Sequence, residues 1–143
     1  MTIQLSKHFT LNEALHTQYS DFKDGNIYEG KKYWENLLWQ AHAILEPVRE
    51  HVNQPFIVTS WYRCVALNTY VKGTDTSQHL QGLATDFYCP QISNDDLFLY
   101  IQDFIKAKNF MFGQLILEPN WIHISAGVPF RDIDRCRQIL KKI

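Results

Sequence analysis

From Lys31 to Val52 the apolar residues Trp34, Leu37, Leu38, Ala41, Ile44, Leu45, Val48 and Val52 recur at separations of three and four. That period lines one face of an α-helix, so a long packing helix is expected here. Pro47 interrupts it: proline lacks a backbone donor and clashes with the preceding turn, which predicts a kink or break near Leu45. Thr10-Leu11-Asn12-Glu13 has the form of a capping box and should start a short helix. Ser93-Asn94-Asp95-Asp96 caps another, whose positions Leu97, Tyr100, Ile101, Phe104 and Ile105 keep the same rhythm to about Lys108. The polar stretch Gln18 to Gly30 reads as a loop.

Shorter patterns between these helices predict strands. Phe56-Ile57-Val58-Thr59-Ser60 is β-branched and follows Pro55, the pattern of a buried strand. Cys64 to Val71 suits a short helix, and Lys72 to Ser77 is rich in turn formers. Leu83 to Cys89 reads as a second strand, while Gln114 to Glu118 and Trp121 to Ser125, split by Pro119-Asn120, form a hairpin pattern. A basic helix over Ile133 to Lys142 is expected to close the chain. Strands and helices do not alternate regularly, which favours an α+β fold with a small antiparallel sheet flanked by helices.

At 143 residues, with 45% apolar and 14% aromatic residues, the chain has the size and composition of one domain spanning residues 1–143. Its 14 basic and 15 acidic residues nearly cancel and are interspersed, so nucleic acid is not an expected partner. The opening residues, with Thr2, Gln4, Ser6, Lys7 and His8, lack the apolar core of a signal peptide. No apolar run nears the roughly 20 residues that cross a bilayer. A monomeric product made in the cytoplasm is expected. The odd, widely spaced Cys64, Cys89 and Cys136 fit small core residues better than a disulfide framework.

Candidate chemistry lies in Ser77-Gln78-His79-Leu80-Gln81-Gly82-Leu83-Ala84-Thr85-Asp86 and in Trp121-Ile122-His123-Ile124-Ser125. Two imidazoles and one carboxylate leave a bound catalytic zinc one open position. A turn at Gly82 would bring His79 and Asp86 to one metal, and strand alternation places His123 with Trp121 and Ser125, opposite Ile122 and Ile124. A lone histidine on a half-apolar strand is more often structural than a ligand. Asp86 within an apolar run is harder to dismiss, because a buried carboxylate costs several kcal/mol unless a cation or donors meet it.

The order Ser-x-His, six residues, Asp, then Trp-x-His-x-Ser resembles the M15 metallopeptidases, in particular the small phage and prophage branch on the D-Ala-D-Ala carboxypeptidase side. Leu5 to Ala14 resembles that branch's opening helix and Leu45-Glu46-Pro47-Val48-Arg49 its long helix. Thr59-Ser60-Trp61-Tyr62-Arg63 resembles its strand-to-helix turn and Gln114-Leu115-Ile116-Leu117-Glu118 the strand before its last histidine, so the likeness covers most of the chain. The resemblance implies the fold shared by D-Ala-D-Ala peptidases and hedgehog domains, with Zn2+ held by His79, Asp86 and His123.

It also implies hydrolysis of bacterial cell-wall (peptidoglycan) peptides, with Arg63 stabilising the oxyanion and Ser77, Gln78 and Trp121 lining the substrate groove. Arg63 could instead cap a turn at the surface, and Ser77 could shape its loop. The catalytic base would be Glu118, since position 120, where several carboxypeptidase relatives carry their acid, holds Asn120. Glu118 could otherwise merely end its strand. Without a signal peptide, such an enzyme would reach the wall by release or delivery, as a phage lysis or virion-associated protein does. The competing expectations are a zinc-stabilised binding module of the same fold without activity, as hedgehog domains make conceivable, and a metal-free protein with Asp86 paired to an arginine.

Overall fold

A computed structural model describes residues 2–127 and 137–142. Five strands, β1 Ile57–Ser60, β2 Ala84–Tyr88, β3 Gln114–Leu117, β4 Ile122–Ser125 and β5 Gln138–Lys141, form one sheet in the order β1-β2-β4-β3-β5. Helices flank it, giving an α+β fold. The pairs β1-β2, β2-β4 and β3-β4 are antiparallel, as expected, but β5 runs parallel to β3. Phe87, Leu115, Ile122 and Ile124, all fully buried, belong to the hydrophobic core, where α6 (Asn94–Lys108) contributes Leu97, Phe98, Ile101, Phe104 and Ile105. Phe98 takes the buried place expected of Tyr100, which is exposed.

The segment from 34 to 52 is helical throughout, and its proline is accommodated without a break. α3 (Trp34–Trp39) passes into a π-helical stretch, Gln40–Leu45, and then into α4 (Glu46–Val52). The Glu46 N–H donates to Ala41 O, five residues back. A wider turn before Pro47 takes up the missing donor and the ring clash that would otherwise kink the helix. It also leaves Gln40 wholly buried, with Nε2 donating to Thr85 Oγ1 and Ile124 O at 3.1 Å each.

Three further expectations are corrected. Residues 18–30 are not a loop: a 3-10 turn at Ser20–Phe22 leads into α2, Lys23–Gly30. This helix has little apolar periodicity to read, because its anchors are the fully buried Asn26 and Gly30, where an added Cβ would lie 2.3 Å from Leu15 and 2.7 Å from Tyr62. β1 is an edge strand, alternately exposed and half-buried, and not a buried one. Finally, residues 138–141 are strand and not helix. The open edge of β3 offers backbone partners there, and this long-range pairing outweighs local helical preference; the rest of the expected helix, including Cys136, lies outside the described residues. Thr10 does cap α1 (Leu11–Leu15), its Oγ1 accepting from Glu13 N at 3.2 Å.

Candidate metal centre

Sheet register alone brings two of the three expected ligands together. Asp86 in β2 lies directly opposite His123 in β4, and opposed residues of antiparallel strands share a face with side chains about 5 Å apart. His123 Nδ1 sits 2.9 Å from Asp86 Oδ1. A bulge in β1 between Val58 and Ser60 adjoins this pair, and Thr59 Oγ1 donates to Asp86 O at 3.2 Å.

His79 arrives from a short 3-10 turn, Gln78–Gln81, that Ser77 caps and Gly82 ends. Gly82 adopts a φ of +73°, and an added Cβ there would lie 2.7 Å from Leu37. Both needs select glycine. Trp61 Nε1 donates to Gly82 O at 2.9 Å, and Arg63 N donates to His79 O at 3.0 Å, so the turn is pinned to the chain leaving β1. His79 Nδ1 lies 2.7 Å from Trp61 O. A carbonyl can only accept, so Nδ1 carries a hydrogen, and Nε2, 3.3 Å from Asp86 Oδ2, is the ring atom left for a metal. This carbonyl contact is the outer support that metal-binding histidines commonly have.

One donor atom from each of His79, Asp86 and His123 lies within 4.8 Å of the others, the one such cluster of His, Cys, Asp and Glu among the described residues. Tetrahedral zinc with bonds of roughly 2 Å separates its ligand atoms by about 3.3 Å; each imidazole lies near that distance from one oxygen of Asp86, His123 at 2.9 Å from Oδ1 and His79 at 3.3 Å from Oδ2. Burial works against the charge on Asp86, yet His79 and His123 hold its carboxyl well below the usual range. The carboxylate is thus ready for a cation at neutral pH. Among the described residues His8, His16, His42 and His51 join no such cluster; His8 bonds Glu46 and His51 stacks on Phe104.

The remaining expected site residues separate into two groups. Arg63 is half-buried, and its Nη1 donates to Asn68 Oδ1 at 3.0 Å. Burial disfavours its charged form, while the nearby Asp86 carboxylate favours it. Glu118 follows β3 opposite Trp121, its N–H donating to Trp121 O at 3.0 Å, and strand alternation from Ile116, opposite His123, carries Glu118 to the sheet face that holds Asp86 and His123. Its Oε1 lies 3.4 Å from Lys142 Nζ. Ser77 and Gln78 are occupied structurally: Ser77 Oγ accepts from His79 N, and Gln78 Nε2 donates to Ala126 O at 2.8 Å.

Sequence reasoning missed Asn26. Its Nδ2 donates to Leu15 O and Tyr62 O at 2.9 and 3.0 Å, and its Oδ1 accepts from Cys64 N at 2.8 Å. Asn26 therefore grips the backbone on both sides of Arg63. No spacing rule points to it, because its partners lie up to 38 residues away.

The sequence pattern of the peptidase M15 family matches residues 7–125, a span that ends on the strand carrying His123. The chain belongs to the peptidase M15 family. No curated protein matches it. This membership makes it a peptidase by family, and the His79-Asp86-His123 cluster is one that could hold a metal ion. Among the described residues no helix is long and apolar enough to cross a membrane.

Proposed function

We propose that this chain is a zinc peptidase hydrolysing peptide bonds in bacterial cell-wall peptides, of D-Ala-D-Ala carboxypeptidase or L,D-endopeptidase type. The observation that carries this reading is the convergence of His79, Asp86 and His123 in a member of the peptidase M15 family. The three side chains would hold the ion through His79 Nε2, His123 Nδ1 and the Asp86 carboxylate. Zinc, when bound, supplies Lewis acidity that lowers the pKa of a water and polarises the scissile carbonyl.

The chain's own residues perform the remaining steps. Glu118 takes a proton from the attacking water on its carboxylate and returns it to the nitrogen of the leaving amine. Arg63 donates N–H groups to the carbonyl oxygen as negative charge gathers there, a task for a fixed, always charged fork. Trp121, half-buried and opposite Glu118, provides an apolar wall beside the peptide.

One observation favours a second reading, a zinc-stabilised binding module without activity: the carboxylate proposed as base is already paired with Lys142. A single experiment separates the two. Protein purified without added metal is assayed for zinc, then incubated with isolated cell wall, and the released peptides are identified by mass spectrometry. About one zinc per chain with defined cleavage products supports the peptidase and shows whether the cut is terminal or internal. Zinc with every wall peptide intact supports the binding module, and absence of zinc overturns both.

A further inference from the structure

The guanidinium of Arg63 is held in an unusual way for a half-buried cation. Among the described residues no carboxylate lies within ion-pairing distance of it. Its side-chain partner is instead a neutral amide, Asn68 Oδ1, at 3.0 Å from Nη1. A guanidinium has five N–H donors, so this contact leaves most of them for another acceptor.

Asn68 is 4% exposed although it lies on a short helix, α5 (Val65–Tyr70). Its Nδ2 donates to Thr74 O at 3.0 Å. Because a carbonyl must face the NH2 end of the amide, the oxygen end is fixed toward Arg63. Asn68 O accepts from Gly73 N at 2.8 Å, closing the loop on the helix. Gly73 is the counterpart of this arrangement. A Cβ there would lie 2.1 Å from Asn68 Oδ1 and 2.8 Å from Arg63 Nη1, so the amide and guanidinium occupy the volume a side chain would need.

We propose that Asn68 is the positioning residue of Arg63, a neutral clamp that orients the guanidinium without forming an ion pair with it, so that its remaining N–H groups stay available to the substrate. The chemistry explains the choice of side chain. A carboxylate at the same place would hold Arg63 as firmly, but would neutralise the charge needed by a developing oxyanion. Gly73 keeps the clamp closed by leaving no competing atom. This inference rests on the role proposed above for Arg63.

Two measurements on the zinc-loaded full chain test it. In the first, the heteronuclear NOE of the Arg63 Nε–Hε group is recorded for wild type, Asn68→Ala and Asn68→Asp. Arg63 should be ordered in wild type and in Asn68→Asp, and mobile in Asn68→Ala. In the second, kcat and KM on a cleaved wall peptide are compared for Asn68→Ala, Arg63→Ala and the double variant. Asn68→Ala should lower kcat on the order of 10-fold or more, since misplacing a catalytic group is costly. In the Arg63→Ala background it should have no further effect, the signature of a residue acting through another.

Asn68→Asp, which keeps the shape and serves if Asn68→Ala does not fold, should also lose turnover despite an ordered Arg63. An Arg63 as rigid in Asn68→Ala as in wild type, additive losses in the cycle, or full activity in Asn68→Asp would each overturn the proposal. A wild type that cuts no wall peptide would sink the peptidase reading instead, while the NOE still decides the clamp.

Discussion

Replacing Asn26 with alanine removes three hydrogen bonds from a fully buried position. Left behind are two carbonyls, of Leu15 and Tyr62, and the N–H of Cys64. A buried polar group stripped of its partner costs about 1–3 kcal/mol. Three such groups would sum to more, but water entering the vacated volume can serve some of them, so a net loss of about 3–4 kcal/mol is expected. For a chain of this size, each kcal/mol lowers Tm by roughly 2–4 °C, so a drop of roughly 10 °C follows. Urea unfolding followed by circular dichroism is the assay, with the change expected in the midpoint and not in the slope. A loss below about 1 kcal/mol at unchanged slope would refute the argument, because the three backbone groups would then have found other partners. Turnover of the folded variant should also fall, as Asn26 holds the backbone on either side of Arg63.

Three other outcomes are expected. Glu118→Gln should keep about one zinc per chain while kcat falls on the order of 10²-fold, with KM little changed; metal analysis beside peptide release checks both halves. Asp86→Asn should lose zinc, whereas His42→Ala, altering a residue outside the cluster, should retain it in the same assay. Glu46 is buried, which by itself opposes its charge, but hydrogen bonds from His8 and Ser6 hold its carboxyl below the ordinary value. A lowered folded-state pKa stabilises the protein above the unfolded carboxyl pKa of roughly 4.3 and loses that contribution as pH falls through the folded value. The Tm difference between wild type and Glu46→Gln should accordingly be largest near neutrality and shrink below about pH 4; a gap independent of pH would contradict it.

The parts of the fold legible in the sequence are those set by local pattern. Thr10 and Ser93 cap helices where their spacing placed them, and the hairpin around Pro119-Asn120 follows from two short apolar runs and a turn. His79, Asp86 and His123 are legible as a set through the order of their motifs, which resembles the M15 family, since a single histidine among the six in the chain carries no such signal. What stayed hidden depends on distant partners. α2 is anchored by Asn26 and a small residue at 30, neither of which gives a periodic signal. β5 exists because β3 has a free edge, a fact about the sheet that no window of the sequence contains. The same applies to Asn68, whose importance lies in a contact with Arg63 and not in its helical surroundings.

Two of the proposed ligands, Asp86 and His123, stand on inner strands, with β4 bonded to β2 on one side and to β3 on the other. Each amide hydrogen of such a strand donates to one neighbour, and it exchanges with solvent only when that ladder inside the sheet opens, a costly event in a small domain. His79 belongs to a single turn held by a few contacts from residues 61 to 63. The three proposed ligands therefore differ in kinetic security. A chelator should extract the ion at a rate set by excursions of the His79 turn, far faster than backbone exchange at Asp86 or His123, with the sheet still folded when the metal has gone.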